Sequence, residues 1–147
     1  MAYIRKINYY ETDQMGIVHH SNYIRFMEEA RIAYLGEIGL PYDKMEQDGI
    51  IIPVLSVYCE YKQPFRFGDE IEIRLKAVHF NGIKFKLEYQ MYIHGDETVR
   101  TTAYSEHCFL DKNMKPVRMK RDFAEIYQIL ELICMADPNR YEIMKFD

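Results

Sequence analysis

Two periodicities divide the chain. From Tyr23 onward the apolar residues Tyr23, Phe26, Met27, Ala30, Ala33 and Tyr34 recur at three- and four-residue steps, which puts them on one face of a helix. Ser21 or Asn22 is placed to cap the start of that helix, and Gly39 to close its far end. A second, short helix is predicted over Pro41 to Gln47. After Gly49 the pattern becomes alternating: Ile71, Ile73, Leu75 and Ala77 fall on one face of a strand, and Glu70, Glu72, Arg74 and Lys76 on the other. Asn81-Gly82 is a dipeptide favoured in tight hairpin turns. Beyond it Ile83, Phe85, Leu87, Tyr89, Met91 and Ile93 alternate with polar residues and Tyr92. Further strands are predicted over Tyr3 to Tyr10, Ile50 to Gln63 and Thr98 to Leu110, and a terminal helix over Phe123 to Ile133.

One long helix near the start, followed by strands joined through short turns, predicts an α+β domain. Its mainly antiparallel sheet of about five strands should wrap an apolar face around the helix. No repeat or linker divides residues 1–147, so they read as one domain with an ordered body and a loose C-terminal tail. A single helix covers little of such a sheet, and one edge strand stays unpaired. Pairing with a second copy removes both liabilities, so a homodimer or homotetramer is expected.

Composition narrows the partners. Hydrophobic residues at 48% and charged residues at 29% are the balance of a globular chain rather than a disordered one. Nineteen Lys and Arg against 23 Asp and Glu give a net charge of -4, so no global positive field exists to attract nucleic acid. Cys59, Cys108 and Cys134 are odd in number and form no Cys-x-x-Cys pair, which argues against a disulfide framework and suits a reducing compartment. The N-terminus lacks the apolar core of a secretory signal, and no stretch approaches the roughly 20 apolar residues of a membrane span. A cytoplasmic location is the expectation. The 13 Tyr and 8 Phe, with no Trp, are read as filling a β-rich core.

The chemistry concentrates between Tyr9 and Tyr23, where Asp13, Gly16, His19 and His20 precede a helix start. A helix start offers N–H groups without intrahelical partners and a partial positive charge, which suits a carbonyl oxygen that becomes negative during acyl transfer. Asp13 is placed to attack, or to activate water. The same residues would equally make a turn-capping aspartate beside two ordinary histidines, and spacing does not separate the two readings. No His-Glu-x-x-His, P-loop, dinucleotide glycine fingerprint or Gly-x-Ser-x-Gly elbow is present, so neither cofactor nor metal is expected. A zinc ion shared by His19 and His20 with His79, His94 or His107 is disfavoured, because adjacent side chains rarely converge on one ion.

Tyr10-Glu11-Thr12-Asp13, Gly16-Ile17-Val18, His20-Ser21-Asn22-Tyr23 and Glu28-Glu29-Ala30-Arg31 resemble the active-site motif of the hotdog-fold acyl-CoA thioesterases. The resemblance is closest to the 4-hydroxybenzoyl-CoA thioesterase type and its Tol-Pal-associated branch, and it runs on through Gly36, Gly39-Leu40 and Gly49-Ile50 to about Leu110. It implies a hotdog fold, protomers paired into a continuous sheet, active sites at their interface and an acyl-CoA substrate. It carries the family's aspartate onto Asp13, its oxyanion-binding N–H onto His20 or its neighbour, and its assisting histidine onto His20. Gly16 is the position that lets the loop approach the acyl group. Met15 and His19 stand where the family usually has a small residue and a Tyr, so both are read as substrate-binding positions that set preference. Glu11 stands for a more usual Asp, and Asn22 and Tyr23 look like cap and core.

Thioester chemistry suits so small a set of groups, because a thiolate leaves near neutral pH with little protonation. Coenzyme A is a polyanion, and this acidic chain must meet it with local cations. Lys84, just after the hairpin turn, is a candidate contact, with Lys86, Arg118, Lys120 and Arg121 as further candidates, although an exposed Lys on an alternating strand is more often simply solvated. Glu28 and Glu29 are expected to form structural ion pairs. The rival readings are a hotdog dehydratase or hydratase acting on acyl carriers, and a non-catalytic acyl-binding module.

Overall fold

A computed structural model describes residues 2–135; the tail expected at the C-terminus lies outside them. Five strands form one antiparallel sheet: β1 (Ala2–Lys6), β2 (Val54–Tyr61), β3 (Glu70–Phe80), β4 (Lys84–Ile93) and β5 (Thr101–Cys108), in the spatial order β1-β3-β4-β5-β2. The long helix α1 (Ser21–Glu37) lies against its inner face, followed by α2 (Tyr42–Gln47). Two further helices, α3 (Met119–Asp122) and α4 (Ala124–Met135), come last. None of the described helices is long and apolar enough to cross a membrane.

The alternation has the expected result. Ile71, Ile73 and Leu75 of β3 pair with Ile93, Met91 and Tyr89 of β4, and the inward members bury completely against Tyr23, Phe26, Met27 and Ala30 of α1. Gly39 closes α1 at φ +90, while the Leu40 N–H returns to the Leu35 carbonyl at 2.8 Å.

Four expectations need correction. β1 stops at Lys6 rather than Tyr10, because Tyr9–Glu11 turns as a 3-10 helix whose entry is held by Glu11 Oε1 accepting the Asn8 N–H at 2.8 Å. Ser21 and Asn22 lie inside α1 rather than capping it. Ile83 sits exposed in the hairpin turn instead of continuing the inward row, since Asn81 Oδ1 accepts both the Ile83 and Lys84 N–H groups and the strand resumes only at Lys84. Finally, the polar face of β3 is not solvated at Glu72 and Arg74. The loop after β4 folds back so that Glu97 takes Arg74 through both oxygens, His94 Nδ1 meets Glu72 at 2.8 Å, and the Tyr92 ring lies 3.8 Å under the guanidinium.

The terminal helix, which the sequence could not position, packs at the hairpin end of the sheet. The Tyr127 ring of α4 packs at a tilt against Phe80, 5.3 Å between centroids, and a Cβ added to Gly82, itself at φ +88, would stand 3.2 Å from the Tyr127 ring.

One polar chain crosses the apolar core. Arg31 Nη1 donates to the Tyr89 hydroxyl at 3.4 Å, that hydroxyl meets Ser105 Oγ at 2.6 Å, and Ser105 Oγ meets His107 Nε2 at 2.7 Å. Burial, with the Arg31 charge added to it, pushes His107 down to about 4 from 6.5. The unfolded chain therefore takes up a proton at His107 as pH falls through about 6.5, whereas the folded chain does so only near 4. The stability this group contributes is complete above about 6.5, declines as pH falls towards 4, and is worth at most roughly 3 kcal/mol. Wild type compared with His107→Gln by urea unfolding near pH 7.5 and pH 4.5 should lose more stability on acidification, and an equal loss in both would refute the assignment.

Candidate active site

Residues 12–18 form a small hairpin. Thr12 pairs with Val18, the Asp13 N–H donates to Ile17 O at 2.9 Å, and the Gly16 N–H donates to Asp13 O at 3.0 Å. Gly16 closes the turn at φ +76, and a Cβ there would meet nothing within 4 Å. Within the chain, then, the backbone angle calls for glycine and not the space around it. The hairpin hangs on the segment after β2: Ile17 bridges Arg66, and the Val18 N–H donates to Phe65 O at 2.8 Å.

Asp13 is half-buried at the start of this turn. Its Oδ1 accepts the Met15 N–H at 2.8 Å, while Oδ2 carries no hydrogen bond among the described residues. One oxygen thus fixes the carboxylate and the other is left without a protein donor among the described residues.

Facing the hairpin is the first turn of α1. The Glu11 carbonyl accepts the His19 N–H at 2.9 Å and Asn22 Nδ2 at 2.8 Å, so Asn22 ties the helix to the loop. The His19 carbonyl accepts the Asn22 N–H at 3.0 Å, and the Ser21 N–H points at His19 Nδ1, 3.2 Å away. The next donor in this run, the His20 N–H, has no acceptor among the described residues. It lies at the positive end of a 17-residue helix.

Asp13, Met15, His20 and Tyr23 line a hollow of about 300 Å³ together with Tyr61 and Pro64. Burial first, and the neighbouring Tyr61 second, push the Tyr23 hydroxyl up to about 12, so it remains a neutral donor and acceptor. A second hollow, of about 290 Å³, lies between α2 and α4 and is lined by Leu40, Met45, Phe123 and Ile126 beside the three carboxylates of Asp48, Asp122 and Glu125 and Lys44. It has no histidine among its lining residues.

The structure sorts the expected residues. Asp13, Met15 and His20 meet at the hollow, with Gly16 shaping their loop. His19 does not line it; its ring stacks on His20 at 4.2 Å and its Nδ1 meets Ser21 Oγ at 2.8 Å. Lys84 is remote, because it opens β4 seven residues before Met91, which pairs with Thr101 at the hollow's end of the sheet. That is roughly 24 Å of strand. Glu11 and Glu29 are structural: Arg5 binds both, at 2.9 and 3.1 Å, and lies 4.4 Å over the Phe26 ring. Glu28 forms no ion pair among the described residues. His94 lies on Glu72, and His107 lies in the core, so neither joins His19 and His20. The wall made by Tyr61, Lys62, Gln63 and Pro64 is absent from the sequence reading. Its only signal there is Pro64, which ends the β2 alternation.

A family model described as the thioesterase-like superfamily matches residues 7–127. The Bacillus subtilis protein "Putative acyl-CoA thioesterase YneP" is 33% identical over 127 residues, which cover 86% of this chain and 91% of that one. The crystal structure of a hypothetical protein from Aquifex aeolicus superposes with a TM-score of 0.79 at 33% identity, covering 88% of this chain and 98% of the other. That of a DHNA-CoA thioesterase from Staphylococcus aureus superposes with a TM-score of 0.84 at 25% identity, covering 90% and 89%.

The left-handed turn gives a direct test. Gly16→Ala should lower the unfolding free energy by about 1 kcal/mol, and Gly16→Asn by less, since asparagine tolerates this conformation better. Urea unfolding that finds the alanine variant as stable as wild type would show that the turn does not hold the angle described.

Proposed function

Because the chain belongs to the thioesterase-like superfamily, we propose that it hydrolyses the thioester bond of an acyl-CoA to a free acid and coenzyme A. The chain is a thioester hydrolase of the hotdog fold. Within the superfamily the proposal places it with the 4-hydroxybenzoyl-CoA thioesterase type and its Tol-Pal-associated branch, on the strength of the motif from Tyr10 to Tyr23. The names of the Bacillus subtilis and Staphylococcus aureus proteins support coenzyme A as the carrier.

The observation that carries the reading is that Asp13, with one oxygen free of hydrogen bonds among the described residues, and His20, whose N–H has no acceptor among them, line the same hollow. The thioester carbonyl oxygen is placed at the His20 N–H, where the helix start stabilises the negative charge that develops on it. Asp13 supplies the attack, either directly on the carbonyl carbon or by taking a proton from a water that attacks. A C–O bond forms, the C–S bond breaks, and coenzyme A leaves as a thiolate that needs little protonation; on the direct route the anhydride so formed with Asp13 is then hydrolysed by water, which releases the free acid and restores the carboxylate. The His20 imidazole assists by hydrogen bonding, and Met15, Tyr61 and Pro64 contact the acyl group.

Self-association completes the proposal. β2 is an edge strand, and Leu55, Tyr58 and Tyr61 on it are about half exposed. Antiparallel pairing with a second β2 removes that edge and sets the Val54 end of one strand beside the Tyr61 end of the other. Such pairing also carries the end of the sheet bearing Lys84 towards the opposite hollow, which is how Lys84 would meet coenzyme A.

Two measurements test the reading. Thiol release from a panel of short, long and aromatic acyl-CoA substrates should fall on the order of a hundredfold or more in Asp13→Asn; an unchanged rate in a folded variant removes Asp13 from the mechanism. A dehydratase would alter the acyl chain without freeing thiol, and a binding module would do neither. Light scattering at micromolar concentration should find a dimer or tetramer, and a clean 17.7 kDa species would reject self-association.

A further inference from the structure

His19 is a chemically capable side chain that the mechanism above leaves unused. Its ring is exposed, is absent from the lining of the hollow, and is held in place by two contacts. The Ser21 N–H and Oγ lie 3.2 and 2.8 Å from Nδ1, and the ring lies 4.2 Å from that of His20 with 30° between their planes.

The contacts fix the tautomer. An N–H can approach Nδ1 only if that nitrogen offers its lone pair, so the ring proton is assigned to Nε2 and the Ser21 hydroxyl is turned to donate as well. An acceptor on residue i that takes the N–H of residue i+2 is the geometry of an Asx turn, as made by Asp13 Oδ1 with the Met15 N–H. At the start of α1 the imidazole nitrogen does what the oxygen of a Ser, Asp or Asn cap does elsewhere. Ser21 and Asn22, the capping types present, are engaged differently.

The main chain shows what this cap controls. In a planar trans peptide the C=O of one residue and the N–H of the next point in opposite directions. The His19 carbonyl points into the helix, at the Asn22 N–H, so the His20 N–H points out of it. The preceding peptide plane, between Val18 and His19, is held in turn by the His19 N–H on the Glu11 carbonyl. The His19 ring closes the set by restraining Ser21, the residue immediately after His20, and so prevents the first turn from fraying and swinging the His20 N–H away.

We propose that His19 is a positioning residue, whose Nδ1 caps α1 and thereby holds the His20 N–H in the direction needed to bind the thioester oxygen. The inference rests on the function proposed above. It gives His19 a role through its neighbour rather than through the substrate, which changes kcat and leaves KM alone.

Three substitutions at position 19 separate the possibilities. His19→Asn keeps an acceptor at the same number of bonds from the backbone but removes the ring. His19→Phe keeps the ring and removes the acceptor, and His19→Ala removes both. With an acyl-CoA substrate that wild type hydrolyses, kcat should fall about tenfold in the alanine and phenylalanine variants, a fraction of what loss of an oxyanion donor costs. His19→Asn should recover most of that loss, and KM should stay within about twofold throughout. Amide hydrogen exchange at Ser21, read by NMR, should speed up by a similar factor in the alanine and phenylalanine variants and not in the asparagine one. A rise in KM with kcat intact would make His19 a substrate contact and overturn the proposal. So would wild-type kcat in His19→Phe, or failure of His19→Asn to rescue. If wild type releases no thiol from any acyl-CoA, the proposed function itself fails; the exchange rates at Ser21 still report whether His19 caps the helix, so the two failures are distinguishable.

Discussion

The backbone carbonyl of Glu11 accepts two hydrogen bonds, from the His19 N–H at 2.9 Å and from the Asn22 side chain at 2.8 Å, and through them the loop bearing Asp13 is joined to the start of α1. With both lone pairs used, this oxygen has no capacity left for water. The Glu11 carboxylate is bound as well, by the Asn8 N–H and by Arg5, which in turn holds Glu29 on α1 and lies over Phe26 in the core. One residue therefore ties β1, the Asp13 hairpin and the long helix together. The separation between a carboxylate and a helix start, on which any acyl-transfer chemistry here depends, is set by these bonds.

The Tyr61 to Pro64 wall of the hollow is held by a different network. The Arg100 carbonyl accepts the Lys62 and Gln63 N–H groups at 2.9 and 3.1 Å, and the Arg100 guanidinium donates to the Pro64 carbonyl at 2.8 Å. The loop leading to Arg100 is anchored in turn by Glu97 on Arg74. Buried ion pairs such as Glu72 with Arg74 are weak sources of net stability, because desolvation offsets much of the attraction. Their effect here is geometric. Arg5 on Glu11 and Arg74 on Glu97 each tether an irregular segment, the turn before the Asp13 hairpin in one case and the loop leading to Arg100 in the other.

Much of this was legible beforehand. The helix face of Tyr23, Phe26, Met27 and Ala30, the alternating rows of β3 and β4 and the turn at Asn81-Gly82 are local patterns, and local sterics and solvation decide them. The cluster of Asp13, Gly16 and His20 was legible for the same reason, since all three lie within one short segment. The polar face of β3 misled: alternation reports which residues avoid the core, and says nothing of a loop from elsewhere that folds over them. The N-cap misled as well, because Ser21 and Asn22 are good capping types, and only the path of the chain shows that His19 holds the position from which the first N–H is reached.

The sequence by itself determined the elements, the inward rows and the loop that carries Asp13, because each depends on neighbours within a few residues. The tertiary structure alone decided that Tyr61 to Pro64 line one hollow with Asp13, that Lys84 lies at the far end of the sheet, and that the His19 ring turns to the helix and not to the hollow. Those relations join residues dozens of positions apart, or depend on where a side chain points once the strands are paired. Neither is fixed until the sheet has closed around the helix and the backbone donors of the connecting loops have found their acceptors.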